Sequence, residues 1–170
     1  MPASVTGRKM KLEEALRALF DANVEFVLIG GAAMQMQGSA HLTEDLDFCY
    51  ARSAKNLERL ALALAPHHPR LRGAPENLPF HFDAATIKRG LNFTLMTDLG
   101  ALDFLGEVSG VGGFREVKKN SDVITIFDMD FLVLSLEGLI RAKKAAGRDR
   151  DLEVIPELEG LLDLRKRSQK

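Results

Sequence analysis

Val24-Glu25-Phe26-Val27-Leu28-Ile29-Gly30-Gly31-Ala32-Ala33-Met34-Gln35-Met36-Gln37-Gly38-Ser39-Ala40-His41-Leu42-Thr43-Glu44-Asp45-Leu46-Asp47-Phe48 is the stretch that decides how this chain folds. Val24 to Ile29 is a short apolar run rich in β-branched residues, and it reads as a buried strand. Gly30-Gly31 ends it. Ala32 to Gln37 holds good helix formers and predicts a short helix starting at the glycines, broken by Gly38 and Ser39. Asp45 to Tyr50 then reads as a second strand.

On that second strand, residues two apart share a face. Asp45 and Asp47 are thus expected side by side, with Leu46 turned into the core. Two carboxylates that close repel unless a cation sits between them. Hard divalent cations prefer oxygen ligands, one or two carboxylates plus substrate phosphates. Gly30 and Gly31 at the strand-to-helix turn would let a phosphate approach the backbone. Either feature alone is more often structural, a solvated strand end or a plain turn. Their joint order is what carries the chemistry.

Outward from this stretch, Lys9 to Ala22 predicts a helix, with Leu12, Ala15, Leu16, Leu19 and Phe20 on one face. Ala54 to Ala65 predicts another through Leu57, Leu60, Ala61 and Leu64. His67 to Pro79 is proline-rich and reads as a loop. Leu91 to Thr97 and Ala101 to Leu105 read as strands meeting at Asp98-Leu99-Gly100. Val123 to Phe127 and Phe131 to Val133 are further short strands. Ser135 caps a helix carrying Glu137 in its first turn, and Gly147 stops it. A last helix spans about Arg150 to Leu164, and Arg165 to Lys170 is expected to fray. The expected fold class is α/β, more narrowly an α+β arrangement: a single mixed sheet flanked by helices, with C-terminal helices. No linker divides it, so one domain over 1–170 is expected, with a core of about 9–134 and C-terminal helices over about 135–165.

Composition is that of an ordinary globular chain: 170 residues, 46% hydrophobic and 28% charged. Lys plus Arg is 23 against 24 for Asp plus Glu, so no global basic field advertises nucleic acid. The single cysteine, Cys49, cannot form an internal disulfide, which fits a reducing compartment. Met1 to Lys11 has no apolar run of the signal-peptide kind, and no apolar stretch approaches the roughly 20 residues of a membrane span. A cytoplasmic location is expected. His67, His68 and His81 show no zinc spacing.

The order strand, Gly-Gly, helix, then Gly38-Ser39-Ala40-His41-Leu42-Thr43-Glu44-Asp45-Leu46-Asp47 resembles the signature of the nucleotidyltransferase superfamily, the fold of DNA polymerase β-like enzymes. It is most similar to the small bacterial branch of AbiEii/AbiGii toxin-type proteins. The branch pattern is Gly-x-x-Arg-x-Thr-x-Asp-x-Asp, and His41 stands where relatives usually carry Arg. Arginine binds phosphate bidentately and is always charged, whereas histidine is only partly charged near neutral pH.

The resemblance implies a third acidic residue on a neighbouring strand. Asp103 matches it, between Leu102 and Phe104. Asp83, Asp98, Asp128 and Asp130 are weaker rivals at turns or strand ends. A second resemblance lies in Leu139-Ile140-Arg141-Ala142-Lys143-Lys144-Ala145-Ala146-Gly147-Arg148-Asp149-Arg150-Asp151, where Lys143, Arg148, Arg150 and Asp151 hold the branch's C-terminal pattern. The resemblance implies catalytic and metal-binding roles for Asp45, Asp47 and Asp103. It implies phosphate or nucleotide contacts from Gly30, Gly31, His41, Thr43, Lys143 and Arg148. The implied cofactor is Mg2+ or Mn2+. The implied reaction moves a nucleoside monophosphate from an NTP to an acceptor such as RNA, including tRNA, a protein or a small molecule. An antitoxin partner or a homo-oligomer is compatible with the branch. Two other readings stay open: a catalytically degenerate nucleotide- or partner-binding protein, and a structural subunit pairing through its sheet edge.

Overall fold

The structure, a computed structural model, describes residues 11–169. Helix α1 (Leu12–Asp21) buries Ala15, Leu16 and Leu19 of the expected apolar face, but Phe20, also expected there, is exposed at the rim, its ring set edge-on against Phe131. The predicted start at Lys9 lies outside the described residues. Strand β1 (Phe26–Ile29) is buried at all four positions. Helix α2 (Gly30–Met36) begins two residues earlier than expected and takes in both glycines. Strand β2 (Asp45–Tyr50) has the predicted bounds and alternates at its start: Asp45 and Asp47 half-buried, Leu46 and Phe48 buried.

Helix α3 (Ala54–Leu64) is capped by the Ser53 side chain, which accepts from the Asn56 N–H. Asn56 is fully buried, and its amide pairs with Glu25 and Ala51, fixing α3 to the entrance of β1. The proline-rich stretch is not all loop. A short 3-10 turn (Ala65–His67) leads into a two-residue strand, β3 (Arg70–Leu71), and helix α4 (Ala84–Arg89) follows behind the Asp83 cap. These pieces are too short for periodicity to register. Strand β4 (Phe93–Thr97) and strand β5 (Gly100–Leu105) form the predicted antiparallel pair.

Beyond it come a small hairpin of β6 (Glu107–Val108) and β7 (Gly112–Gly113), then helix α5 (Phe114–Lys119), all unforeseen and all short. Strands β8 (Ser121–Ile126) and β9 (Met129–Leu134) close the sheet. The predicted strand to Phe127 stops at Ile126, because Phe127 and Asp128 both take the left-handed backbone (φ 52° and 63°) of a two-residue hairpin turn.

Helix α6 (Leu136–Ala146) has the Ser135 cap and ends at Gly147 (φ 66°), as read from sequence. The single last helix becomes two, α7 (Asp149–Glu153) and α8 (Ile155–Ser168). Pro156 causes the break: it lacks an N–H, and its ring clashes with the carbonyl four residues back. The tail expected to fray is helical through Ser168, and Arg165 donates to the Gln37 side chain at 2.8 Å and to its carbonyl at 3.1 Å. Lys170 lies outside the described residues.

The main sheet has seven strands in the order β3-β4-β5-β2-β1-β9-β8. β1 is antiparallel to β2, β2 is parallel to β5, and β1 is parallel to β9. The core is continuous across the sheet, from Phe26, Phe48 and Phe104 to Leu139 and Leu158. Phe48 and Phe104 stack with ring centroids 5.0 Å apart on β2 and β5, locking their register from the apolar side.

Candidate active site

Register alone assembles the acidic site. Pairing of β2 with β5 sets Asp45 beside Ala101 and Asp47 beside Asp103, with Leu46 beside Leu102 on the opposite face. The antiparallel partner β1 sets Ile29 beside Asp47, so the turn after β1 arrives directly at that carboxylate. There Gly30 has φ +64°, and a Cβ on it would lie 2.1 Å from Asp47 Oδ2. Gly31 crowds Thr43 in the same way, its added Cβ 2.7 Å from the Thr43 Cβ. Both glycines are therefore needed where they stand. Thr43 shapes the entry to β2: its Oγ1 accepts from the Asp45 N–H (3.3 Å) and donates to the Asp45 carbonyl (3.1 Å).

Asp47 sits under strong electrostatic pressure. Burial pushes its carboxyl up to about 7, helped by the charge of Asp103, a side-chain hydrogen bond with Asp103 and the charge of Asp45. The Lys143 ammonium offsets part of this. Asp103 is 20% exposed and Asp45 46%.

A cation missed by the sequence reading stands over these carboxylates. Arg72, just past β3, makes a short ion pair with Asp103 and lies 3.7 Å from Asp45 Oδ2. It also donates to the Leu95 carbonyl at 2.9 Å. Nothing in the sequence marks it: it lies in a stretch read as loop, three strands away in the sheet from β2. Among the described residues, no three His, Cys, Asp or Glu side chains stand ready as a metal cage.

The opposite wall comes from α6 and α7. Asp151 is 1% exposed and binds Lys143 Nζ at 3.3 Å and Arg148 Nε at 2.6 Å. The Arg148 hydrogen bond, then that of Lys143, holds its carboxyl below the usual range. Asp151 also accepts from the Arg148 backbone N–H, closing the start of α7. Lys143 is thus fixed between a buried anion and the charge of Asp47. Replacing Asp151 by Ala is expected to cost about 1–3 kcal/mol, the scale for leaving a buried polar partner unsatisfied. A urea melt reads it; an unchanged midpoint would show that the pair contributes nothing.

Gly30, Gly31, His41, Thr43, Asp45, Asp47, Asp103, Lys143 and Arg148 all line one cleft of about 580 Å³. The rivals Asp83, Asp98, Asp128 and Asp130 do not line it. Asp83 caps α4, Asp98 pairs with His68 at 2.6 Å, and Asp130 accepts from Thr125. His41 reaches the cleft from an exposed loop tied down by its backbone, its carbonyl accepting from Gln35 at 2.7 Å. Cys49 is buried on β2, and burial pushes its thiol up to about 12, so it is inert.

No family model and no curated protein matches the chain. Solved structures do. A Thermotoga maritima protein assigned as a nucleotidyltransferase, TM1012, superposes with a TM-score of 0.51 at 16% identity, covering 93% of this chain and 90% of its own. The aminoglycoside nucleotidyltransferase ANT(2")-Ia, solved with adenylyl-2"-tobramycin, gives 0.52 at 15% identity over 92% of this chain and 96% of its own. An antigenic nucleotidyltransferase-like protein from Paracoccidioides brasiliensis gives 0.54 at 15% identity, covering 92% and 76%. The chain has the nucleotidyltransferase fold, a mixed sheet flanked by helices.

Proposed function

We propose that the protein is a metal-dependent nucleotidyltransferase acting through Asp45, Asp47 and Asp103. The observation that carries this is the β2–β5 register, which sets Asp47 beside Asp103 with Asp45 on the same face, against the turn at Gly30. The donor set fits a hard divalent cation: all-oxygen ligands, and more negative charge than Arg72 alone can balance. Bound there, Mg2+ or Mn2+ would neutralise triphosphate charge and activate an attacking hydroxyl.

The chain's own residues supply the rest. Asp103 receives the proton of the acceptor hydroxyl as its oxygen bonds to the α-phosphorus, and the bond to pyrophosphate breaks. Gly30 and Gly31 keep the turn bare so that phosphate oxygens come close to backbone N–H groups. Thr43 holds Asp45 in place, and His41 lies at the rim. Lys143, held by Asp151, and Arg148 add positive charge on the phosphate side. Such catalysis is mainly positioning and electrostatics.

The acceptor is sought among RNA, protein and small hydroxyl compounds. An aminoglycoside belongs in the set because ANT(2")-Ia was solved with an adenylylated one. A toxin role of the AbiEii/AbiGii type belongs to the same proposal, with an antitoxin partner that suppresses transfer. It would act in the cytoplasm, where NTPs are found; among the described residues no helix is long and apolar enough to cross a membrane. The test is incubation with Mg2+, each labelled NTP in turn, and RNA, lysate protein or tobramycin. Label transferred by the wild type and lost on mutation of the carboxylates supports the reading.

His41 at the usual arginine position favours a second reading, a nucleotide-binding protein without turnover. Tight nucleotide binding with no pyrophosphate release would decide for it.

A pH signature follows from Asp47. Metal binds the carboxylate, and this carboxyl keeps its proton until about pH 7. Mn2+ affinity is therefore expected to fall about tenfold per unit below pH 7 and to level off above it. Without metal the sign reverses. The stabilisation from this raised carboxyl is fully present below its ordinary 3.8 and is lost as pH rises through about 7. Calorimetric titration with Mn2+ from pH 5.5 to 8.5 measures the first effect; a flat profile would show that Asp47 carries no proton for the metal to displace in this range.

A further inference from the structure

We propose that Arg72 is a built-in counter-cation that closes the carboxylate cluster in the metal-free protein and is exchanged for the divalent cation. The inference rests on the metal-binding reading of Asp45, Asp47 and Asp103, and goes beyond it by giving the free protein a defined blocked state.

Arg72 is placed where a metal would compete with it. Its guanidinium binds Asp103 and stands 3.7 Å from Asp45 Oδ2, so it spans the two carboxylates that flank Asp47. Without it, three carboxylates would face one another across two adjacent strands. Like charges so placed need a cation, and an arginine is always charged. A dication and this guanidinium therefore bid for the same oxygens, and what strengthens one hold must weaken the other.

Arg72 is also not seated as a purely structural arginine. Its Nε is buried and makes no hydrogen bond. An unmet buried donor is a standing cost of the closed arrangement, recovered if the side chain swings out to water. The side chain is already 29% exposed, so it has a way out.

The segment that carries it can yield. β3 is two residues long and lies at the sheet edge, paired only with β4. Past it, the Arg72 N–H holds the Thr94 carbonyl at 2.9 Å.

The test uses the full chain as wild type, Arg72→Met, Arg72→Lys and Asp45→Ala/Asp47→Ala. Mn2+ binding is measured from the paramagnetic resonance of free Mn2+, with melting curves at zero and saturating Mn2+. Arg72→Met is expected to bind Mn2+ about tenfold more tightly than wild type, the scale of removing one nearby charge in a partly solvated site. Arg72→Lys, whose point charge cannot span two carboxylates, should fall between them. Without metal Arg72→Met should melt lower than wild type, and Mn2+ should raise its melting temperature more. Should Arg72→Met fail to fold, tighter binding by Arg72→Lys carries the proposal.

Equal or weaker binding by the folded Arg72 variants overturns the exchange. If wild-type binding is still lost in the double alanine variant, the metal site stands and only the exchange falls. If none of the four proteins binds Mn2+, the metal reading falls and the exchange with it.

Discussion

Replacing Asp45 and Asp47 together by alanine is expected to abolish metal-dependent nucleotide binding and to cut label transfer by at least about a thousandfold. Both side chains lie on one face of β2, with Asp103 alongside, so the double variant leaves one carboxylate, already bound by Arg72. A metal centre stripped of two oxygen ligands loses the several kcal/mol of charge stabilisation that such an ion supplies. The fold should not suffer. Asp47 is held among like charges and partly buried, so its removal relieves repulsion and desolvation. Melting at pH 8, where Asp47 carries its charge, should therefore match or exceed wild type. The combination is diagnostic: equal stability with lost binding places the defect in chemistry. Retained Mn2+-dependent binding of an NTP would sink the site assignment, and a large loss of stability would show that these residues serve the fold.

How much of this was legible in the sequence depends on length of element and distance of partner. The bounds of β2 were readable because Asp45, Leu46, Asp47 and Phe48 alternate, and period two is a strong signal once one face is buried. Asp103 was singled out by the family resemblance, and its neighbours Leu102 and Phe104 on β5 marked only the face it takes. Its contact with Asp47 was not readable. That needs the parallel register of strands more than fifty residues apart, which the Phe48–Phe104 stacking fixes from the other face. The break at Pro156 was written in the sequence, yet the apolar pattern on either side hid it. Arg72 left no trace, because an arginine one residue past a two-residue edge strand, in a proline-rich stretch, has no periodicity to mark it. Asp151 was visible only as part of a C-terminal pattern. Its burial and its grip on Lys143 and Arg148 depend on α7 folding back beneath α6.

Gly30→Ala is expected to do damage of a different kind, to both fold and site. The backbone there has φ +64°, a conformation that costs an L side chain roughly 1–2 kcal/mol. The new methyl would stand 2.1 Å from Asp47 Oδ2. Backbone cannot yield cheaply at this point, since Ile29 is buried on β1, an interior strand, and pairs with Asp47. The carboxylate must move instead, away from the position it shares with Asp103. A displacement of about 1 Å in a ligand of the reacting centre costs on the order of a hundredfold in rate. Gly73→Ala is the matched control: its φ is +80°, so it bears a similar backbone penalty, but no atom lies within 4 Å of the added Cβ. The two variants should melt at similar temperatures, both below wild type, while only Gly30→Ala loses Mn2+ affinity and label transfer. If both keep wild-type Mn2+ affinity, the glycine serves the turn alone, and the close approach of Gly30 to Asp47 has no part in the chemistry.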